Sequence, residues 1–325
     1  MNSKVIEKLI NSDEPSVRFK VIVNVLGKST DINEVKSIQE EIKSSQRVKE
    51  LLSERKEDGT IPFHPYKKWF GAHWILATLA DIGYPPGDEL LIPLKDQVYG
   101  WLFSADHEND IKTIAGKVRR CASQEGNVLY ATLSLGIADS YVDELADRLA
   151  KWQWADGGWN CDRNPDASNS SFMESLIPLR SLALHAKVTR NETSKVTAER
   201  ATDIFLKRRL YIRQRDGEII DKDFVTLHYP CYWHYDILFG LKVMAEAGFI
   251  NDERCNDALD LLESKRLKDG GFPAEKKYYQ HIEKSKPGRR KTGSSLIGWG
   301  VTGKTKSNEF VTADALYVLK ASGRL

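Results

Sequence analysis

LAKWQWADGGW, residues 149–159, reads as the last turns of a helix, then a turn, then an aromatic plug. Gln153 and Trp159 flank the pair Gly157–Gly158. Weaker copies of this punctuation recur along the chain, which makes it a repeat protein. The question becomes what is built by stacking several such units.

Asp-Gly pairs mark the period at Asp58-Gly59, Asp156-Gly157, Asp216-Gly217 and Asp269-Gly270, spaced 98, 60 and 53 residues apart. The first gap holds about two units, so one marker is missing near residue 110. LLSERKEDGT, LAKWQWADGG, LYIRQRDGEI and LLESKRLKDGG each read as a helix with a polar or basic last turn and a glycine stop. After each marker comes an irregular segment and then a strongly apolar helix. Six such helices are expected, near 17–27, 70–83, 126–137, 171–186, 233–248 and 311–321. Amphipathic helices with mixed charge are expected between them at 93–103, 142–152, 196–209 and 253–265. The apolar period is close to 3.6 and strand signals are scarce. Six apolar helices alternating with amphipathic ones predict an all-α, (α/α)6 toroid, with inner helices wrapped by outer ones. Residues 1–325 form one domain on this reading. Residues 1–50 close the ring, and 278–307 are an irregular loop or flap.

The bulk numbers agree with a globular chain. It has 325 residues, 41% hydrophobic and 29% charged, with a net charge of +2. That near balance argues against a nucleic-acid partner. Cys121, Cys161, Cys231 and Cys255 are widely spaced with no CxxC pair, which suits a reducing compartment. The first residues, MNSKVIEKLINSDEP, lack the apolar core of a signal peptide. No run of about 18 apolar residues occurs, so no membrane span is expected. A cytoplasmic protein follows as the expectation.

LAKWQWADGGW resembles the QW motif of terpenoid cyclases and protein prenyltransferase β subunits, a helix followed by Q-x(2–5)-G-x-W. Gln153, Gly157 and Trp159 fill that pattern. LESKRLKDGGF is a degraded copy, with Arg266 and Phe272 in place of Gln and Trp. HWILATLADIG, ESLIPLRSL and HYPCYWHYDILFGLKV also look like single-domain bacterial proteins described only as squalene cyclase or prenyltransferase repeat proteins. The resemblance covers roughly residues 50–325 and implies the toroid. It implies less about chemistry. Near HYPCYW, Cys231 matches the zinc-binding cysteine of prenyltransferases, but Tyr229 stands where their aspartate should be and Thr312 near the place of their histidine. The DxDD of triterpene cyclases and the DDxxD of ionising synthases are absent. RCASQE, residues 120–125, has the spacing of a second cyclase acid motif with Arg120 in place of the acid.

In a toroid the N-termini of the inner helices line one mouth, where polar and aromatic residues gather. Candidate catalytic residues there are His73, Glu125, Glu174, His234, Asp236 and Asp314. Candidate substrate-binding residues are Trp69, Trp74, Asn160, Asp162, His228, Tyr229 and Tyr232. His228, Cys231 and His234 are metal-competent, with Cys231 and His234 placed on one face of a helix, so a divalent metal is a candidate cofactor. Each has a plainer reading. Glu125, Glu174 and Asp314 sit where helix dipoles favour capping carboxylates. Trp159 of a QW motif packs between outer helices, and the basic KSKPGRRK stretch at 284–291 is a solvated loop or a flap. The expected function is binding or transforming an isoprenoid or other apolar small molecule in a central cavity. Aromatic side chains there would stabilise carbocations. A carbohydrate-active hydrolase or lyase with paired carboxylates is one alternative, and a non-catalytic binding scaffold is another.

Overall fold

The computed structural model describes residues 2–283 and 290–325. It is mainly helical: α1 (Asn2–Ile10), α2 (Pro15–Lys20, continued by a π-helical turn over Val21–Val25), α3 (Asn33–Ser44), α4 (Gln46–Leu51), α5 (Ala72–Asp81), α6 (Ile92–Leu102) and α7 (Ala105–Asp110) come first. Then follow α8 (Ser123–Ser134), α9 (Tyr141–Trp152), α10 (Phe172–Thr189), α11 (Glu192–Leu206), α12 (Ile237–Glu246), α13 (Asn256–Ser264) and α14 (Glu309–Ala321). The short strands β1 (Lys112–Ile114) and β2 (Lys117–Arg119) form an antiparallel hairpin. β3 (Gln280–His281) and β4 (Ser294–Ser295) pair in parallel. Among the described residues no helix is long and apolar enough to cross a membrane.

Helices α2, α5, α8, α10, α12 and α14 occupy the six apolar segments, and α6, α9, α11 and α13 the four amphipathic ones. The place of the missing Asp-Gly marker holds the β1–β2 hairpin, which turns at Ala115–Gly116 with positive φ at both. No helix forms in the described part of 278–307, and most of the basic stretch, residues 284–289, lies outside the described residues. One helix start departs from expectation. Asp236 is the N-cap of α12 and accepts from the Phe239 amide at 2.8 Å. The chain before it is irregular, with Tyr232 left-handed at φ 48°. Cys231 and His234 therefore precede the helix instead of sharing a face of it.

Each apolar helix packs on the next in the series: α5 on α8, α8 on α10, α10 on α12, and α12 on α14. α14 packs on α2 and its π-helical turn. The α8–α10 approach is close because Gly126 faces Pro178, and a Cβ there would meet the Pro178 nitrogen at 2.9 Å. α6, α9, α11, α13 and α3 pack beside α5, α8, α10, α12 and α2 respectively.

The QW-like turn staples α9 to α11. The Gln153 side-chain amide donates to the carbonyls of Gly157 and Thr197, both at 2.8 Å. Trp159 is buried and its indole N–H donates to Leu149 O at 2.9 Å. Gly157 takes φ +103°, and a Cβ there would lie 2.4 Å from the Arg200 carbonyl oxygen.

Apolar helices carrying single charges must pair them when buried. Lys20 Nζ lies 3.1 Å from Asp81 and 3.0 Å from Asp314. Lys242 Nζ lies 3.0 Å and 3.1 Å from the same two carboxylates. Arg180 binds Glu246 through Nε at 2.5 Å and Nη2 at 2.8 Å. The Tyr229 hydroxyl donates to Asp81 at 2.8 Å. Burial alone would raise the Asp81 carboxyl, but Lys20, Lys242 and Arg180 hold it well below 3.8. Burial alone would likewise lower the Lys242 ammonium, and Asp314 and Asp81 hold it well above its usual value. Between these groups remains a cavity of about 50 Å³, lined by Asp81, Asn127, Tyr130, Arg180, Lys242 and Asp314 among others. That is room for about one or two water molecules.

Replacing Asp81 with Asn leaves two buried ammonium groups sharing one carboxylate, with an expected loss of about 3–5 kcal/mol in urea unfolding. The folded pKa of Asp81 lies below its unfolded value of 3.8. Its contribution is therefore full above that value and is lost as pH falls further. Stability of the native chain should drop on acidification below about pH 4, and that of D81N should drop less. Gly157→Ala should destabilise by about 1–3 kcal/mol through strain and overlap with Arg200. Gly217→Ala, at φ +75° but with nothing within 4 Å of its Cβ, should cost less in the same urea unfolding.

Candidate functional site

The hairpin β1–β2 delivers Cys121 to the start of α8, and the loop after Trp159 delivers Cys161. The two segments are joined by their backbones. Arg119 and Asn160 form a parallel bridge, and Arg120 N donates to Asn160 O at 3.2 Å. Side chains from the QW-like turn secure the join. The Trp154 indole donates to Val118 O at 2.8 Å, and the Arg119 guanidinium lies 4.6 Å over the Trp154 ring. Glu174, in the first turn of α10, completes the group. Its Oε2 accepts from the Ser123 amide at 3.0 Å, so it caps the neighbouring helix α8. Its Oε1 lies 3.9 Å from Cys161 Sγ.

The Cys121 and Cys161 sulfurs and a Glu174 carboxylate oxygen all lie within 4.8 Å of one another. Among the described residues this is the one group of three or more such donors. Both thiols are free and half-buried, while Glu174 is buried. The hydrogen bond from Cys121 holds the Cys161 thiol below its usual value, against burial and the Glu174 charge. The hydrogen bond to Cys161, burial and the Glu174 charge all push the Cys121 thiol up. Burial raises the Glu174 carboxyl, against the hydrogen bonds from Ser123. Tyr66 adjoins the group, where burial and the Glu174 charge raise its hydroxyl. Lys68 is half-buried with its ammonium 4.6 Å from the Trp233 ring.

The other sequence candidates fall into separate roles. His73 donates to Gln124 O at 3.1 Å, and its Nδ1 is buried without a partner. Burial brings its imidazole down to about 4. Glu125 is bound by Arg120, Nε to Oε1 at 2.9 Å, with His107 beside it. Asp314 lies more than a turn inside α14, in the central ion pairs, and not at the helix mouth. Asp236 caps α12 and holds His228, Nδ1 to Oδ2 at 2.8 Å. Asn160 and Asp162 accept from the amides two residues on, at 2.9 Å each, in consecutive exposed turns.

The aromatic candidates form a packed layer. Trp69 stacks on Tyr232 with centroids 4.0 Å apart and meets Trp74 edge-on at 4.7 Å. Tyr229 stacks on Phe310 at 4.6 Å. His234 is sandwiched by Tyr278 at 3.6 Å and Trp233 at 4.4 Å, and burial brings it down to about 3. The expected metal trio is thereby corrected. Cys231 lines the central cavity, while His228 is committed to Asp236 and His234 to its aromatic neighbours. Their donor atoms do not converge because the segment is not helical. A surface groove of about 760 Å³ is lined by Glu14, Glu41, Arg47 and Glu283 among others, and none of its lining residues belongs to the thiol–carboxylate group.

In sequence the two thiols lie 40 residues apart, so no local spacing joins them. The ion pairs had a visible signal: Asp81, Arg180, Lys242 and Asp314 are charges flanked by apolar residues in helical segments. Compared with known proteins, the chain matches no family model and no curated sequence.

Proposed function

We propose that this chain is an α/α toroid that binds a divalent, thiophilic cation, best matched by Zn²⁺, on Cys121, Cys161 and Glu174 at its rim. The observation that carries it is the convergence of those three donors within 4.8 Å. The toroid is supported by the neighbour series α5, α8, α10, α12, α14 and α2, with Lys20 of α2 bound to Asp81 of α5. Thiolate and carboxylate donors suit zinc, and bond lengths of about 2.3 Å to sulfur and 2.0–2.2 Å to oxygen put tetrahedral donors roughly 3.3–3.8 Å apart. The group would contract by about 1 Å around the ion. The cation would also relieve the mutual repulsion of three ionised acids. Three protein ligands leave a fourth position for water or a small-molecule ligand, the pattern of zinc sites that do Lewis-acid or hydrolytic chemistry. The Tyr66 hydroxyl, raised by burial and by Glu174, stays protonated and can donate to what binds there.

The isoprenoid reading finds less support between these helices, where about 50 Å³ of space compares with the roughly 300–1,000 Å³ of ordinary ligand pockets. Paired catalytic carboxylates of the carbohydrate-active kind are also poorly supported, because Glu125, Asp236 and Asp314 are each bound to a cation or a helix cap.

Reduced, chelator-treated protein titrated with Zn²⁺ should take up one ion per chain. Cobalt substitution should give the near-ultraviolet charge-transfer absorption of thiolate ligands. Cys161→Ser and Glu174→Gln should weaken binding more than about tenfold, whereas His234→Ala should leave it unchanged. No uptake by the folded wild type, or dependence on His234 with indifference to Cys161, would overturn the proposal.

A further inference from the structure

We infer that Cys121 and Cys161 form a reversible disulfide, and that this bond and the metal exclude each other. The second half rests on the metal-site reading; the first stands without it. The geometry is that of a bridgeable pair. The Arg119–Asn160 bridge and the Arg120–Asn160 hydrogen bond hold the two strands of chain side by side just before both cysteines. Such neighbours place their Cα atoms about 5–7 Å apart, within reach of the 4.4–6.8 Å span of disulfides. The sulfurs already lie within 4.8 Å, so rotation about the side-chain bonds closes the rest. Neither cysteine lies within a helix or strand. Neither thiol therefore has to break a helix or a ladder to move. Both are half-buried, which leaves them open to a small oxidant, whereas Cys255 is buried.

The oxidant is a hydroperoxide and the reductant a small dithiol. One thiolate attacks the peroxide oxygen, the O–O bond breaks, and the departing alkoxide or hydroxide takes up a proton, leaving a sulfenic acid. The second thiolate attacks that sulfur, the S–O bond breaks, and hydroxide leaves as water. Two thiols and one hydroperoxide thus become a disulfide, an alcohol or water, and a water. Both sulfurs are oxidised and the peroxide oxygen is reduced. The product has no thiolate to offer a metal, so Glu174 alone of the three donors remains.

The test begins with reduced, metal-free protein treated with hydrogen peroxide and digested without reductant. A peptide linking Cys121 to Cys161, two hydrogens lighter than its parts and cleaved by dithiothreitol, is the expected result. Absence of that peptide, or linkage through Cys231 or Cys255 instead, would overturn the inference whatever the metal result. Zinc-loaded protein under the same oxidation should release one zinc per disulfide to a colorimetric chelator. A disulfide that forms while zinc stays bound would overturn the exclusion. Failure of zinc to bind at all, with the cross-link still forming, sinks the metal reading and leaves the disulfide standing. In Cys121→Ser the cross-link should vanish and Cys161 should be trapped by dimedone as the sulfenic acid.

Discussion

The arrangement of this protein depends on a problem of buried charge. Lys20, Lys242, Arg180, Asp81 and Asp314 lie on α2, α12, α10, α5 and α14, each among buried apolar side chains. A single ammonium or carboxylate taken out of water costs several kcal/mol unless a partner of opposite sign comes with it. No helix here can meet that cost alone. Lys20 on α2 needs α5 and α14, and Lys242 on α12 needs the same two carboxylates. The pairing therefore selects which helices face one another, while apolar packing sets how closely. Replacing all these groups by hydrocarbon would serve stability as well. Their effect lies in specifying a partner set that a purely greasy interface would leave degenerate.

That solution fills the space between α2, α5, α10, α12 and α14. With these ion pairs in place and Trp69, Trp74, Tyr232 and His234 packed together, about 50 Å³ remains beside them. Near the starts of α8 and α10 the Cys121 and Cys161 side chains remain half-buried. The two helix starts are coupled there, because Glu174 of α10 satisfies the Ser123 amide of α8. Orphan amides at helix starts stabilise negative charge.

What could be read from the chain follows from the range of the forces involved. Helix identity was legible because a 3.6-residue apolar period and a glycine stop act within a few turns. All six apolar segments and the four amphipathic ones became helices. The start of α12 was misread because HYPCYWHYD mixes apolar and polar residues without a period, and the deciding fact is that Asp236 caps the helix. Isolated charges such as Lys242 in GLKVM were visible but their partners were not, since each lies on another helix. The meeting of Cys121 with Cys161 was beyond any local rule. It needs a hairpin, a helical pair and a backbone bridge to be in place first.

The motif that marks the repeat also explains that meeting. Gln153, Gly157 and Trp159 bind α9 to α11. Trp154, which lies inside the same turn and outside the motif's pattern, reaches the other way. Its indole holds Val118, and its ring supports Arg119, one residue before the chain turns toward Cys121. Asn160, next after Trp159, makes the bridge that sets Cys161 beside it. A turn that only stapled helices would have no need of a second buried indole bonded to a hairpin. Trp154 makes the repeat's packing and the site's geometry one structure, so the two thiols are held together by the same element that builds the fold.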